Sequence, residues 1–378
     1  GPPSTFLARL SSPSRGIARS SAGEMVRPRR HGKIADHAAV RSAGGELGLS
    51  IRPQGNDPGE EPMRLDRRHA LAAALAAPAL VSAAPLRAAA PQAGRQAPGF
   101  YRLKVGDYEV TIVNDGINRR PNPGEGFVRN ADKAAVEAAL ARDFLPTGHL
   151  DITFNITFVN TGRELILFDT GTGGNLAATA GTMWDNMQAA GIAPAQVDKI
   201  VFSHFHGDHV SGLVSREGQP RFPNAELIVP EAEWTFWMGE RAPQQPAAMV
   251  KGRFGPYPAE RIRRVASDAE VAPGIRGIPT FGHTPGHTTW SVQSGNGTLI
   301  VLGDVTNHPT INLRNPGWHA VFDMDAAMAE ETRRRFFDRA AADRTPIVGY
   351  HWPFPAVGYV RKDGTGYDLV PIPWTSQV

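Results

Sequence analysis

Four metal-capable side chains, His204, His206, Asp208 and His209, stand within six positions of one another. They directly follow an apolar, β-branched run, Ile200-Val201-Phe202. An extended segment sends alternate side chains to one face, so His204 and His206 would project together from its end. A helix starting near Gly207 would bring Asp208 and His209 off its first turn toward the same point. Imidazoles and a carboxylate are the donors that a borderline-soft ion such as Zn²⁺ prefers. A His-rich surface loop is the ordinary alternative. With 12 His in 378 residues, three within six positions beside an Asp argue against that alternative.

Three further candidates sit where apolar strands should end in loops, the places where sites are usually built. His287 lies in Gly282-His283-Thr284-Pro285-Gly286-His287-Thr288, Asp304 follows Leu302-Gly303, and His351 follows Val348-Gly349-Tyr350. His283, four positions before His287, reads as structural rather than as a ligand. His308 and His319 read as loop or surface residues, with His308 near enough to Asp304 to line a pocket. His31, His37 and His149 read as solvated. The candidate set is then five His and two Asp. A single tetrahedral zinc needs four ligands, or three and a water. Seven is the count for two metals sharing a carboxylate.

Several elements must position these residues. Alternation over Tyr101–Val113 around the turn Gly106-Asp107 predicts a hairpin. Further strands are expected at Thr153–Val159, Leu165–Phe168, Lys199–Phe202, Leu227–Pro230, Ile275–Pro279, Thr289–Gln293, Thr298–Leu302 and Ile347–Tyr350, with a closing hairpin over Tyr359–Pro371. Helices are expected at Ala131–Arg142, Met183–Ala190, Glu231–Glu240 and Ala326–Ala342. The segment Ala242–Pro258, rich in Pro and Gly, reads as an overhanging loop. Strands outnumber helices and alternate with them irregularly, which suggests stacked sheets with outer helices.

Composition narrows the function classes. The absence of cysteine excludes disulfides, thiolate zinc sites, Cys nucleophiles and iron–sulfur clusters together. The net charge is +3, but residues 1–99 hold 14 of the 40 Lys and Arg against 7 of the 37 Asp and Glu. The remainder, with 26 basic and 30 acidic residues, is mildly acidic and offers no phosphate-tracking surface for a nucleic acid. Residues 1–62, rich in Gly, Pro, Ser and Arg, read as a disordered leader, upstream sequence or tag remnant. From Met63, Asp66-Arg67-Arg68-His69 leads into an Ala/Leu/Val run ending near Ala88-Ala89-Ala90. Residues 63–90 thus read as an export signal. The paired arginines resemble a twin-arginine signal, which implies a periplasmic destination. The run is too short and Ala-rich for a membrane span.

The chain resembles the metallo-β-lactamase superfamily. The superfamily's His-x-His-x-Asp-His stands here as His204, His206, Asp208 and His209, and its later His, Asp and His as His287, Asp304 and His351. Within it, the chain is most similar to the methyl parathion hydrolase group and related lactonases. That similarity is carried by Pro98-Gly99-Phe100-Tyr101-Arg102, the Gly282–Thr289 segment and Gly366-Tyr367…Val370-Pro371. The resemblance implies an α/β (α+β) domain over residues 91–378, a four-layer αβ/βα sandwich of two mixed β-sheets flanked by helices. It also implies two divalent metal ions, zinc first, with Mn, Co or Fe as alternatives. His204, His206 and His287 would hold one ion, Asp208, His209 and His351 the other, with Asp304 bridging. Asp169, in Asp169-Thr170-Gly171, would orient a ligand imidazole from outside the coordination sphere. A small-molecule substrate is implied, and a homodimer is compatible with the resemblance.

Zinc lowers a bound water's pKa from about 15.7 to about 7. Hydroxide shared by two ions would then attack an ester, lactone or aryl phosphotriester, with Asp208 passing a proton to the leaving group. No Gly-x-Ser-x-Gly nucleophile elbow is present. Leu176, Phe236, Trp237, Phe254 and His308 are the expected pocket residues, with Trp318 and Phe322 behind them. Such an aromatic-walled pocket suits uncharged substrates. Residues 306–322 do not match the parathion hydrolase pocket loop, which weakens the phosphotriester branch. The competing readings are a β-lactamase-like amide hydrolase and a protein that binds metal without turnover.

Overall fold

Apolar runs such as Ile166-Leu167-Phe168 and Leu227-Ile228-Val229 cannot be hidden on one side of a sheet, because successive strand side chains point to opposite faces. Both faces must be covered, and they are. The computed structural model describes residues 92–378. The expected leader and export signal over 1–62 and 63–90 lie outside the described residues.

The first sheet has seven strands in sequence order: β1 (Phe100–Val105), β2 (Tyr108–Pro121), β3 (His149–Asn160), β4 (Leu165–Phe168), β5 (Lys199–Val201), β6 (Glu226–Pro230) and β7 (Ile262–Val265). Pairing is antiparallel as far as β4 and parallel from β4 to β7. The second sheet runs from β8 (Glu270–Ala272) through β9 (Ile275–Pro279), β10 (Thr288–Ser294), β11 (Gly297–Val301), β12 (Ile347–Val348) and β13 (Val357–Asp363) to β14 (Gly366–Pro371). Among the described residues its only parallel pair is β11 with β12. Both sheets are therefore mixed.

Alternation along the strands divides the apolar runs between separate cores. Ile166, Phe168, Val201 and Ile228 join Trp290, Val292, Leu299 and Val301 in the core between the sheets. Leu167, Ile200, Leu227 and Val229 face the other way, into a second core. That core takes Val136 and Leu140 of α1 (Lys133–Arg142), Met183 and Met187 of α2 (Met183–Ala189), and Val210 of α3 (Gly207–Val210). It also takes Trp237 of α4 (Glu231–Met238) and Val250 and Phe254 of α5 (Gln244–Phe254). Behind the second sheet, Ile300, Leu302 and Ile347 meet Phe336, Phe337 and Ala340 of α6 (Ala326–Asp343). Helix, sheet, sheet, helix is the expected four-layer order.

Two expectations are corrected. The segment read as an overhanging loop carries α5. Pro246 falls in its first turn, where the backbone N–H has no intrahelical partner to lose, so the proline is tolerated. Strands β7 and β8, short and flanked by charges, were not expected at all.

Strand β2 slips register between Asn114 and Ile117. A bulge of this kind re-aims side chains and favours the rim of a site. It turns the buried Asp115 onto the loop Gly171-Thr172-Gly173-Gly174 that follows β4, where the carboxylate accepts from the Thr172 N–H and hydroxyl at 2.7 Å each and from the Met183 N–H at 2.8 Å.

Candidate metal centre

The chain leaving β5 is pinned on both sides. The Phe202 N–H donates to Ile228 O at 3.0 Å, and the Thr288 N–H donates to Ser203 O at 2.9 Å. Residue 203 thus ties the two sheets together at the point where His204 and His206 emerge. His206 caps α3, and the next turn delivers Asp208 and His209. The His209 carbonyl is held by the Thr170 N–H at 2.7 Å and the Thr170 hydroxyl at 2.9 Å.

Two groups of side chains converge there. In the first, His204 Nε2 lies 3.1 Å from His206 Nδ1, which lies 2.9 Å from His283 Nε2. In the second, Asp208 Oδ2 lies 3.6 Å from His209 Nε2 and 3.5 Å from His351 Nε2. Asp304 joins them: its carboxylate oxygens lie 3.2 Å from His209 Nε2, 3.0 Å from His351 Nε2 and 3.3 Å from His283 Nε2. Zinc–nitrogen bonds of about 2.0–2.1 Å in a tetrahedron separate ligand atoms by about 3.3 Å. The observed spacings bracket that value, and each group could hold a divalent ion.

A cation would also answer a local deficit. His209 Nε2 and Asp304 Oδ1 are buried without a hydrogen-bond partner among the described residues. An unsatisfied buried polar atom costs about 1–3 kcal/mol. The electrostatics agree. Burial, then the neighbouring imidazoles His209 and His283 respectively, push His204 and His206 well below the ordinary histidine range, so both are neutral and free to donate lone pairs. Burial would lower His283 too, but the Asp304 and Asp323 carboxylates carry it up to about 9. Asp304 attracts a proton to Nε2, where a metal ion would otherwise sit, while Asp323 faces Nδ1. Burial alone would raise Asp304; His351 and His209 outweigh it and hold the carboxylate well below its usual range.

The structure turns His283, rather than His287, toward the cluster. His287 was the expected ligand, yet both its ring nitrogens are used inside the protein. Nε2 accepts the Asp304 N–H at 2.9 Å, and Nδ1 meets the Thr280 hydroxyl at 2.8 Å. Burial, then His283, push it down to about 3, so it stays neutral and keeps that acceptor. Gly303 permits the contact: at φ +62° a Cβ there would lie 2.6 Å from His287 Nε2. His283, expected to be structural, instead turns Nε2 toward His206 and Asp304. Its Nδ1 lies 2.9 Å from Asp323, whose other oxygen accepts from Arg333 at 2.9 Å.

The remaining candidates fall as follows. Asp169 meets His209 Nδ1 at 2.9 Å and accepts from the Ser203 N–H and hydroxyl at 2.8 and 2.7 Å. It orients the ring from behind. His351 Nδ1 lies 2.9 Å from the Thr153 carbonyl. A cavity of about 510 Å³ opens on Asp208 and Asp304, with Leu176, Trp237 and Phe322 in its wall. Phe236, Phe254, His308 and Trp318 do not line it. Phe254 is core, its ring 4.7 Å from Phe205 and 5.3 Å from Phe202. Phe236 stands edge-on to Trp237 at 5.2 Å. His308 is buried and accepts the Thr310 N–H at 3.2 Å, while His319 pairs with Glu330 at 2.8 Å.

Sequence reasoning missed several supports. Glu233, fully buried, accepts from the Phe205 N–H at 3.0 Å and from the Thr284 hydroxyl and Gly286 N–H at 2.8 Å each. It ties the two histidine loops to α4; burial raises its carboxyl, opposed by these hydrogen bonds. A Cβ at Gly286 would lie 2.1 Å from the Glu233 nitrogen, so that loop depends on glycine. Arg333 had a readable signal: it falls in register with the apolar positions Ala329, Phe336, Phe337 and Ala340 of α6, where a charge must be paired. Asp323 had none. Asn118 and Arg120, on one face of β2, also line the cavity and were not expected.

A family model described as the metallo-beta-lactamase superfamily matches residues 154–351. Among solved structures, the hydrolase AbOPH of the beta-lactamase superfamily superposes with a TM-score of 0.70 at 27% identity, covering 75% of this chain and all of that one. AidC, a dizinc quorum-quenching lactonase solved with a product, superposes with a TM-score of 0.69 at 25% identity, covering 74% of this chain and 99% of that one. An N-acyl homoserine lactonase from Bacillus sp is 27% identical over 39% of this chain and 53% of its own length. The uncharacterized protein YobT of Bacillus subtilis (strain 168) is 28% identical over 39% of this chain and 59% of its own length. The chain thus spans only between half and three-fifths of these curated relatives.

Proposed function

Because the chain belongs to the metallo-beta-lactamase superfamily, we propose that it is a dinuclear metal-dependent hydrolase of esters or lactones. Aryl phosphotriesters would be side substrates. The observation that carries this reading is the position of Asp304, whose one carboxylate reaches ring nitrogens of both histidine groups within 3.3 Å. His204, His206 and His283 would hold one ion, Asp208, His209 and His351 the other, and Asp304 both. Two ions bound there would supply a water acidified to near neutrality and polarise the scissile carbonyl oxygen.

The chain's own residues do the rest. Asn307 donates to Asp304 Oδ2 at 3.2 Å and fixes its rotamer. Tyr350 donates to the Asp208 carbonyl at 2.6 Å and stacks on His209 with ring centroids 3.9 Å apart, holding α3 in place. Asp208 keeps a side-chain exposure of 21%, and its carboxylate is the group placed to take a proton and hand it to the leaving alcohol. Leu176, Trp237 and Met249 present apolar surface that excludes water from the acyl portion. Among the described residues no helix is long and apolar enough to cross a membrane.

Metal analysis by mass spectrometry, followed by turnover of p-nitrophenyl esters, acyl-homoserine lactones and paraoxon-type triesters, tests the reading. Two ions per chain, with activity lost to a chelator and restored by zinc, is the expected result. Full activity with one ion per chain would sink the dinuclear proposal, and two ions with no turnover of any ester or lactone would sink the hydrolase. A narrower test is Asp323→Asn, which replaces the carboxylate fixing the His283 ring. Affinity for the first ion should fall roughly 10–100-fold, read by competition with a chromophoric chelator. An unchanged affinity would mean that Asp323 serves only the fold.

A further inference from the structure

Beyond the bulge, β2 sends alternate residues to opposite sides. Arg119 faces outward and pairs with Asp151 at 2.7 Å. Asn118 and Arg120 face the cavity that contains Asp208 and Asp304, beside Ile152 and Phe154 of β3. The Arg120 guanidinium lies 5.3 Å from the centroid of the Phe322 ring, and that ring stands edge-on to Phe127 at 5.8 Å. Among the described residues, Arg120 has no carboxylate within ion-pair distance, and neither Arg120 nor Asn118 makes a side-chain hydrogen bond.

Among the described residues, Arg120 is the only Lys or Arg in the cavity wall. The acidic side chains there, Asp208 and Asp304, are engaged by the histidine groups. A half-buried guanidinium held on an aromatic face keeps its planar fork free for an oxygen pair. Such a fork matches a carboxylate through two charge-assisted hydrogen bonds. Two dications held by the histidine groups at the base of the same cavity would add a field that favours an anion.

We propose that Arg120, steadied by Phe322 and assisted by the Asn118 amide, is a carboxylate-binding subsite, and that the substrates are esters or lactones bearing a carboxylate apart from the scissile bond. This rests on the ester or lactone hydrolase reading and narrows it. Apolar walls alone would favour an uncharged substrate. Arg120 selects among such substrates by charge.

The test compares mono-p-nitrophenyl glutarate with p-nitrophenyl valerate, acyl chains of equal length that differ in a terminal carboxylate. The metal-loaded protein should prefer the glutarate ester by roughly tenfold or more in kcat/KM, the scale of a charge-assisted hydrogen bond. Arg120→Met, which keeps the stem over Phe322, should bring the ratio to about one, chiefly by raising KM for the glutarate ester, and Arg120→Lys should restore part of it. Equal hydrolysis of the two esters by the unaltered protein, or an equal change for both in Arg120→Met, overturns the subsite. Should neither ester turn over, the hydrolase reading fails separately. Calorimetric titration with glutarate then decides: roughly tenfold weaker binding to metal-loaded Arg120→Met upholds the subsite, and equal binding removes it.

Discussion

Asp304→Ala is expected to lower kcat/KM by roughly a thousandfold, about 4 kcal/mol of transition-state stabilisation. The metal content should fall from two ions per chain toward one. Asp304 lies within 3.3 Å of His209, His283 and His351, and so reaches ligands of both groups. Without it neither group keeps its shared donor, and the more weakly held ion leaves. The expected order of events is loss of one ion, then loss of rate. Mass-spectrometric metal counting beside ester turnover reads both. Two ions retained with full activity would show that the carboxylate bridges nothing.

The second large effect separates two histidines four residues apart. His283→Ala should remove an ion from the first group and most of the activity, roughly a hundredfold or more, while Arg333 still pairs the Asp323 carboxylate that the ring leaves behind. His287→Ala should act on stability instead. It leaves the buried Asp304 N–H without its acceptor, while the Thr280 hydroxyl loses His287 Nδ1 and keeps Thr289, whose hydroxyl lies 3.0 Å away and whose N–H donates to it at 3.1 Å. A cost of about 2–4 kcal/mol follows from the orphaned N–H and the cavity. Melting should fall by on the order of 10 °C, with two ions still bound per folded chain. Thermal melts and metal counts on the two variants check this. The opposite pattern, metal lost from His287→Ala and kept by His283→Ala, would restore the assignment expected from sequence.

How much was legible depends on the range over which each feature is fixed. The strands were readable because apolar runs such as Leu227-Ile228-Val229 leave no other way to bury both faces. Helix α5 was not, since its Pro246 and Gly252 are loop signals until packing of Val250 and Phe254 overrides them.

At the candidate centre, His204, His206, Asp208 and His209 were legible from local chain geometry. A strand end followed by one helical turn converges those side chains whatever surrounds them, because backbone geometry alone does it. Asp304 and His351 were readable for a related reason, each following an apolar strand. The choice between His283 and His287 belonged to the tertiary structure. Both stand in the same Gly-rich loop, and which ring turns inward is set by Asp323, Arg333 and Gly303, all distant in sequence from both histidines, together with the nearby Thr280. The cavity wall was decided in the same way. As text Phe254 stood ahead of Phe322 as a pocket aromatic, but packing of α5 against Phe202 and Phe205 makes the first core and leaves the second beneath Arg120.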